Sequence, residues 1–456
     1  MPVFGKLQNL PARPKCVEGR GDEMIDRNDD RRIRQLIETA AQASASGREE
    51  EADQLVRRAE AEAPRHPLVL NETARRLLQN GDAAGAYRLL IQAVGEDSAQ
   101  TSIWLNLAAA LRGLKRAEEE MAAIERALAL EPRNCRAMLQ KASLQELKGE
   151  RRAAAMTYRH VLQSVPAGSL PPQSLRPIFQ HAMQFVAAND IELENFIESR
   201  LKDLRARYAN EPLQRFDRCL QILLRKQPVY RPQPSFMYFP RLPAIEFYER
   251  SEFLWLDSIE AATADIRAEL ITVLQEGSSV LEPYIDIPSG MPLDQWRELN
   301  QSRRWGVYYL WQAGISIPEH IARFPRTVEA LEAWPRCEMP GSSPTAVFSI
   351  LDAKTRIPPH TGVANTRLTV HLPLIVPPGC GFRVGAERRE WHPGKAFVFD
   401  DTFEHEAWND SDVARAVLIL DIWNPHLTQA EREMVRRVTA DVGEFYGTGS
   451  YHESGS

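Results

Sequence analysis

Between residues 31 and 166, apolar and small positions recur every 34 residues. Gly47, Gly81, Lys115 and Gly149 form one series, and Pro64, Ser98, Pro132 and Pro166 a second. Between the two, each copy carries an amphipathic run such as "GDAAGAYRLLIQAVGEDS" (81–98). Val56, Leu90, Ile124 and Tyr158 share one slot of this run, and Ala59, Ala93, Ala127 and Val161 share the slot three positions on. The pattern predicts a helix in each run, with the glycine ending the helix before it. A small residue in a fixed slot lets two helices approach closely.

The period and pattern resemble tetratricopeptide repeats over about 31–166. Four units exceed the three or so that bury a continuous core. Such a stack offers a concave groove for an extended protein or peptide partner. A dimerisation or spacer module with an unused groove is the alternative. Residues 1–30 are expected to be disordered, with Met24 as a candidate natural start. "SVPAGSLPPQS" (164–174) reads as a break, and 167–229 as a helical extension or linker that continues the stack or packs on its end.

From residue 227 the prolines and aromatics of "QPVYRPQPSFMYFPRLPAIEFYERSEFLWLDSIEA" exclude regular helix and suggest a strap across a surface. "WLDSIEAATADIRAELITVLQE" (255–276) predicts one long helix. After about residue 300 the pattern changes to short alternating strands, which places a second domain at 230–440 and a flexible tail at 441–456.

Strands alternate faces. In "RLTVHLPL" this puts Arg367, Thr369 and His371 on one face and Leu368, Val370, Leu372 and Leu374 on the other. "ARAVLILDIW" repeats the arrangement: Arg415, Val417, Ile419 and Asp421 against Ala416, Leu418, Leu420 and Ile422. One polar and one aliphatic face suit a jelly-roll wall, with the polar face lining a pocket and the apolar face under helices. "FRVG" (382–385) adds Arg383 on another short strand.

The charge balance narrows the partners. The chain has 456 residues and a net charge of −6, which argues against general nucleic-acid binding. Its five cysteines are scattered, without a C-x-x-C pair, so neither a disulfide framework nor a thiolate zinc site is expected. No apolar run approaches a spanning helix and no secretory signal is evident, so the expected location is cytoplasmic. A metal that activates dioxygen takes a few nitrogen or oxygen ligands and keeps open positions, and an arginine is the best partner for a co-substrate carboxylate. His360, His405 and Arg415 would meet both demands if strands brought them together.

In order, the chain carries "FSI" (348–350), "PPHTG" (358–362), "HLPL" (371–374), "FDDTFEHEAWN" (399–409) and "R-x-x-x-I-x-D-I-W-N-P" (415–425). This series resembles the aspartyl/asparaginyl β-hydroxylase family of iron(II)- and 2-oxoglutarate-dependent dioxygenases over about 235–430. "WGVYYLWQAG" (305–314) and "FPRLPAIEFYERSEFLWL" (239–256) also fit. Animal members likewise place the catalytic domain after a tetratricopeptide region. The resemblance implies a helical solenoid followed by a double-stranded β-helix, with Fe(II) and 2-oxoglutarate as cofactors.

It also implies roles for single residues. His360 and His405 match the iron ligands, while Arg415 and Ser349 match the groups that hold the distal carboxylate of 2-oxoglutarate. His371 matches a histidine near its metal-side carboxylate. Gly362 stands where most oxygenases of this fold carry an iron-binding carboxylate, and Asp401 is then a candidate for orienting a metal-bound water, or else a turn cap. Thr369 departs from an arginine of the animal enzymes, for which Arg367 and Arg383 are candidate replacements. Trp305, Trp311, Trp408 and Trp423 are read as pocket walls or as core aromatics.

The function this implies is hydroxylation of an unactivated C–H bond, preferably the β-carbon of an Asp or Asn in a protein or peptide presented by the repeats. The alternatives are a non-enzymatic repeat scaffold with a degenerate jelly roll, and a small-molecule or lipid hydroxylase of the same fold.

Overall fold

The 34-residue period becomes a stack of helix pairs in the structure, a computed structural model that describes residues 27–165, 171 and 173–446. The first of two compact units ends at Pro212. It holds α1 (Arg27–Ala45), α2 (Glu49–Glu62), α3 (Pro67–Gln79), α4 (Ala83–Glu96), α5 (Thr101–Gly113), α6 (Ala117–Leu130), α7 (Cys135–Leu147), α8 (Arg151–Ser164) and the longer α9 (Arg176–Arg207). Gly47, Gly81 and Gly149 follow α1, α3 and α7 with φ of 76°, 83° and 76°, and Lys115 takes the same left-handed conformation after α5 at 57°. This turn lets the next amides reach the last carbonyls: Gly81 N donates to Leu78 O at 3.1 Å and Asp82 N to Leu77 O at 2.8 Å.

Ala59, Ala93, Ala127 and Val161 are fully buried, as expected of a slot that sets helix separation. On α9, Phe179, Ala182 and Val186 pack against Leu139, Ala142, Tyr158 and Val161, so the segment after the fourth copy covers the apolar face of the last pair. The expected disordered start falls almost wholly outside the described residues, as do Met24 and most of the proline-rich break.

In the second unit, from Leu213 on, the strap is observed. Gln233 N donates to Thr402 O at 2.7 Å, Phe236 N to Val363 O at 2.9 Å and Tyr248 N to Val398 O at 3.0 Å. The single helix expected over 255–276 is instead two, Leu256–Ala261 and Thr263–Leu274. Ala262 sits between them with φ −85° and ψ 3°, and the Thr263 hydroxyl donates to Glu260 O at 2.7 Å. Such a side-chain bond to a helix carbonyl competes with the ladder and bends it. The last helix, Gln429–Tyr446, extends past the expected end at 440.

Among the described residues, eleven antiparallel strands form two sheets. The larger contains β1 (Glu282–Pro283), β2 (Trp305–Gln312), β3 (Ile315–Ser316), β4 (Ala346–Leu351), β6 (Arg367–Ile375), β9 (Phe397–Phe399) and β11 (Arg415–Trp423); the smaller contains β5 (Thr355–His360), β7 (Cys380–Val384), β8 (Glu387–Arg389) and β10 (His405–Asn409). Neighbours run β1-β2-β4-β11-β6-β9, with β3 on β2, and β5-β10-β7-β8. The aliphatic faces of β6 and β11 pack under the two short helices, through Leu256, Ile259, Ile266 and Leu270. The opposite faces point between the sheets, where Val417, Phe382, Val384 and Phe399 share a second core. This is the expected helical solenoid followed by a double-stranded β-helix.

Candidate functional site

One cavity between the sheets collects residues from both. Ser349, Arg367, Thr369, His371, Arg415 and Asp421 line it from the larger sheet, and Ile357, His360, Phe382, His405 and Ala407 from the smaller. The alternation read from β6 and β11 therefore holds.

His360 ends β5 and His405 begins β10, and the two are register partners across the ladder. Their ring centroids lie 4.0 Å apart. His360 Nδ1 is 2.8 Å from Pro358 O, and His405 Nδ1 is 3.0 Å from Phe403 O. A carbonyl can only accept, so each Nδ1 carries a proton, and in the neutral ring the lone pair then sits on Nε2. Burial is the main cause that pulls the His405 pKa down to about 4, with the Arg383 charge acting the same way. His405 is then neutral near pH 7, the form that binds metals.

The Asp401 carboxyl fills the space beside Gly362: a Cβ there would lie 2.3 Å from Asp401 Cγ. The backbones are also tied, with Gly362 N donating to Asp401 O at 2.7 Å. Among the described residues no group of three or more His, Cys, Asp or Glu side chains is arranged to hold a metal ion. The protein's own offer at this point is two imidazoles with a carboxylate beside them.

Arg415 is 1% exposed. Its Nη1 lies 3.5 Å from Ser349 O, and its guanidinium stacks 4.1 Å over the Trp391 ring. Among the described residues no carboxylate pairs with it, and Nε has no hydrogen-bond partner. Burial lowers its pKa to about 9, so it is still a cation at neutral pH. Ser349 Oγ accepts from Trp305 Nε1 at 3.0 Å and keeps its own proton to donate. His371 Nδ1 is buried without a partner, and burial, followed by the Arg415 charge, holds this imidazole well below its ordinary pKa.

The two candidates for the arginine missing at Thr369 separate. Arg367 lines the cavity, with Nη1 2.9 Å from Asp421 and Nη2 3.6 Å from Asp401. Arg383 is outside the cavity lining and corrects the expectation placed on it. It is held by Glu406 at 2.5 Å, Glu404 at 2.8 Å and Gly385 O at 2.7 Å. On β7 the cavity-facing residue is Phe382, so its neighbour Arg383 points the other way.

Of the four tryptophans, Trp305 alone lines the cavity. Trp311 and Trp423 belong to apolar clusters away from it, and Trp408 lies near Arg356 and Arg388. Trp391, Trp296 and Tyr284 were not anticipated. Tyr284 stacks on Trp305 at 4.0 Å, and Trp296 stands edge-on to His360 at 5.1 Å. Trp391 and Trp296 sit outside the alternating strands, so no periodic signal marks them.

With this geometry in hand, the chain can be set beside known proteins. Residues 260–425 match the family Aspartyl/Asparaginyl beta-hydroxylase. The resemblance read from the motifs is borne out over this domain. The match begins after the strap and takes in all five motifs.

The human aspartyl/asparaginyl beta-hydroxylase is 35% identical over 162 residues, 35% of this chain and 21% of that protein. The ornithine lipid ester-linked acyl 2-hydroxylase of Rhizobium tropici is 35% identical over 181 residues, 39% of this chain and 60% of that protein. Human aspartate beta-hydroxylase domain-containing protein 2 is 29% identical over 206 residues, 44% of this chain and 53% of that protein. The chain thus spans between a fifth and three-fifths of the length of these relatives. Among solved structures, a tetratricopeptide-repeat protein of Thermus thermophilus is 22% identical with a TM-score of 0.30, covering 39% of this chain and 97% of that one. No helix among the described residues is long and apolar enough to cross a membrane.

Proposed function

We propose that the protein is an iron(II)- and 2-oxoglutarate-dependent hydroxylase, with the cavity between the two sheets as its active site. The observation that carries this reading is Arg415, a buried cation without a carboxylate partner among the described residues, in the same cavity as the His360–His405 pair. A lone buried charge is costly, and a ligand carboxylate would satisfy it with paired, charge-assisted hydrogen bonds.

The residues fit both groups. His360 and His405 would hold iron through Nε2, with each ring fixed by its Nδ1–H bond to a backbone carbonyl two residues before it. Arg415 and the Ser349 hydroxyl would take the distal carboxylate of 2-oxoglutarate. His371 would donate from its unpartnered Nδ1 to the carboxylate nearer the metal. Iron(II) with 2-oxoglutarate would supply the dioxygen activation that converts an unactivated C–H bond into an alcohol. Asp401, beside Gly362, would orient water at the metal. Phe382, Phe399 and Ile357 keep the chamber apolar and limit water.

The preferred substrate is an Asp or Asn side chain of a protein or peptide, with the repeats as its docking module. The relatives' names support hydroxylation in general and leave the acyl chain of a lipid as a second class. The two classes share a feature: the β-carbon of Asp or Asn and the 2-carbon of an acyl group each adjoin a carbonyl carbon. A CH₂ beside a carbonyl is therefore the unit this site is proposed to oxidise.

Anaerobic titration with iron(II) and then 2-oxoglutarate tests the site without a substrate. A visible metal-to-ligand charge-transfer band, abolished by His360→Ala and weakened by Arg415→Ala, is the expected result. A folded, metal-free protein that gives no band would favour the scaffold reading. Mass spectrometry of cells with the wild type or His360→Ala then separates substrates: +16 Da on Asp or Asn supports the preferred class, and +16 Da on lipid acyl chains the other.

A further inference from the structure

We infer that Arg367 and Asp421 are positioning residues which fix the Asp401 carboxylate beside the histidine pair, and that Arg367 is not a co-substrate ligand. This rests on the reading of the cavity as an iron site.

Asp421 is the anchor. Its Oδ2 accepts from Ser343 Oγ at 2.8 Å, from Thr345 N at 3.1 Å and from Arg367 Nη1 at 2.9 Å. Its own carbonyl accepts from Trp334 Nε1 at 2.9 Å. Three donors on one buried carboxylate oxygen leave it little freedom to move. Arg367 carries that rigidity onward, with Nη2 3.6 Å from Asp401 Oδ2. A guanidinium is a planar fork with donors on separate nitrogens, so it can span two carboxylates with both held in one fixed geometry, which the single nitrogen of a lysine on its flexible stem does not impose. The carboxyl at its far end is the one packed into the gap left by Gly362.

Thr369 permits this arrangement. It is the register partner of Asp421 across the β6–β11 ladder, on the same face as Arg367. A long cation at 369 would stand opposite Asp421 and compete for it. With threonine there, Asp421 serves Arg367, and the Arg367 charge faces two carboxylates. A co-substrate carboxylate would have to displace Asp401 to reach it.

The test is a double-mutant cycle read by iron(II) affinity of the full chain, measured anaerobically without 2-oxoglutarate. Arg367→Lys keeps the charge and removes the fork. In the wild-type background it should weaken iron binding on the order of tenfold, the range for groups that orient metal-site residues. In the Asp401→Asn background it should change affinity by less than about twofold, because the partner through which it acts is gone. Equal losses in both backgrounds would show a general structural role and overturn the inference. Unchanged iron affinity with weakened 2-oxoglutarate binding would also overturn it, by making Arg367 a co-substrate ligand. If Arg367→Lys fails to fold, Asp421→Asn, which keeps an acceptor for Ser343 and Thr345, replaces it in the same cycle with the same expected pattern. A wild type that binds no iron would overturn the proposed function itself, and this inference with it.

Discussion

A Cβ on Gly362 would lie 2.3 Å from the carboxyl carbon of Asp401 and 2.5 Å from its farther oxygen. One carboxylate therefore stands where a side chain at 362 would stand, and the two cannot coexist. Gly362→Ala should force Asp401 out of place. Overpacking of this kind costs about 1–3 kcal/mol, so the metal-free variant should unfold at lower denaturant concentration. Its iron(II) affinity should fall by roughly tenfold or more, as when other groups that orient a metal site are lost. Chemical denaturation and anaerobic iron titration of the same preparation check both. Unchanged iron affinity in a destabilised variant would remove Asp401 from the metal's surroundings.

Arg415 invites the opposite combination. A buried cation without a carboxylate partner among the described residues is costly to the fold, and a bound anion would offset that cost. Arg415→Met keeps most of the volume over Trp391 and removes the charge. The variant should be at least as stable as wild type in urea, since well-packed apolar replacements of buried charges are often neutral or stabilising. Its 2-oxoglutarate affinity should fall by about 3 kcal/mol or more, a loss exceeding roughly a hundredfold. Isothermal titration beside a urea melt gives both numbers. A large loss of stability would mean that Arg415 holds the fold together rather than the co-substrate.

The parts of this site legible in the sequence are those fixed by a short repeat. Period two along β6 and β11 sorts Arg367, Thr369, His371, Arg415 and Asp421 to the cavity and the leucines to the helices. Period 34 marks Lys115 as the equivalent of three glycines, which its φ of 57° bears out. Through-space relations were not legible. Gly362 and Asp401 lie 39 positions apart, and nothing in either segment announces that one fills the other's gap. Arg383 cannot be separated from Arg367 by sequence, because "FRVG" is too short for its inward face to be chosen. The break at Ala262 escaped because the apolar period runs on through it, while a threonine hydroxyl bends the backbone.

Asp400 gives a pH dependence with a defined sign. Its Oδ1 accepts from Thr402 N at 2.9 Å and Thr402 Oγ1 at 2.6 Å, yet burial outweighs these bonds and raises its pKa from 3.8 to about 6. The folded state thus holds the proton more tightly than the unfolded chain. The stability this group contributes is fully present below about pH 4 and is lost as pH rises through about 6. Asp400→Asn removes the charge and keeps an acceptor for Thr402. Relative to wild type it should gain up to about 3 kcal/mol at pH 8 and much less at pH 4. Urea melts of both proteins at the two pH values test this, and a gain independent of pH would refute the assignment.

Lys115 offers a test of the repeat logic away from the site. Its φ of 57° places a side-chain-bearing residue where the other three copies use glycine at 76°, 83° and 76°. Left-handed backbone costs a residue with a Cβ roughly 1–2 kcal/mol, offset in part because glycine gains more freedom in the unfolded chain. Lys115→Gly should therefore stabilise the first unit by up to about 1 kcal/mol. Gly81→Ala, at the equivalent turn with no atom within 4 Å of the new Cβ, should destabilise it by a similar amount through backbone strain alone. Thermal melts of the two variants should move in opposite directions, and a shift of the same sign in both would show that the 34-residue slot does not set the cost.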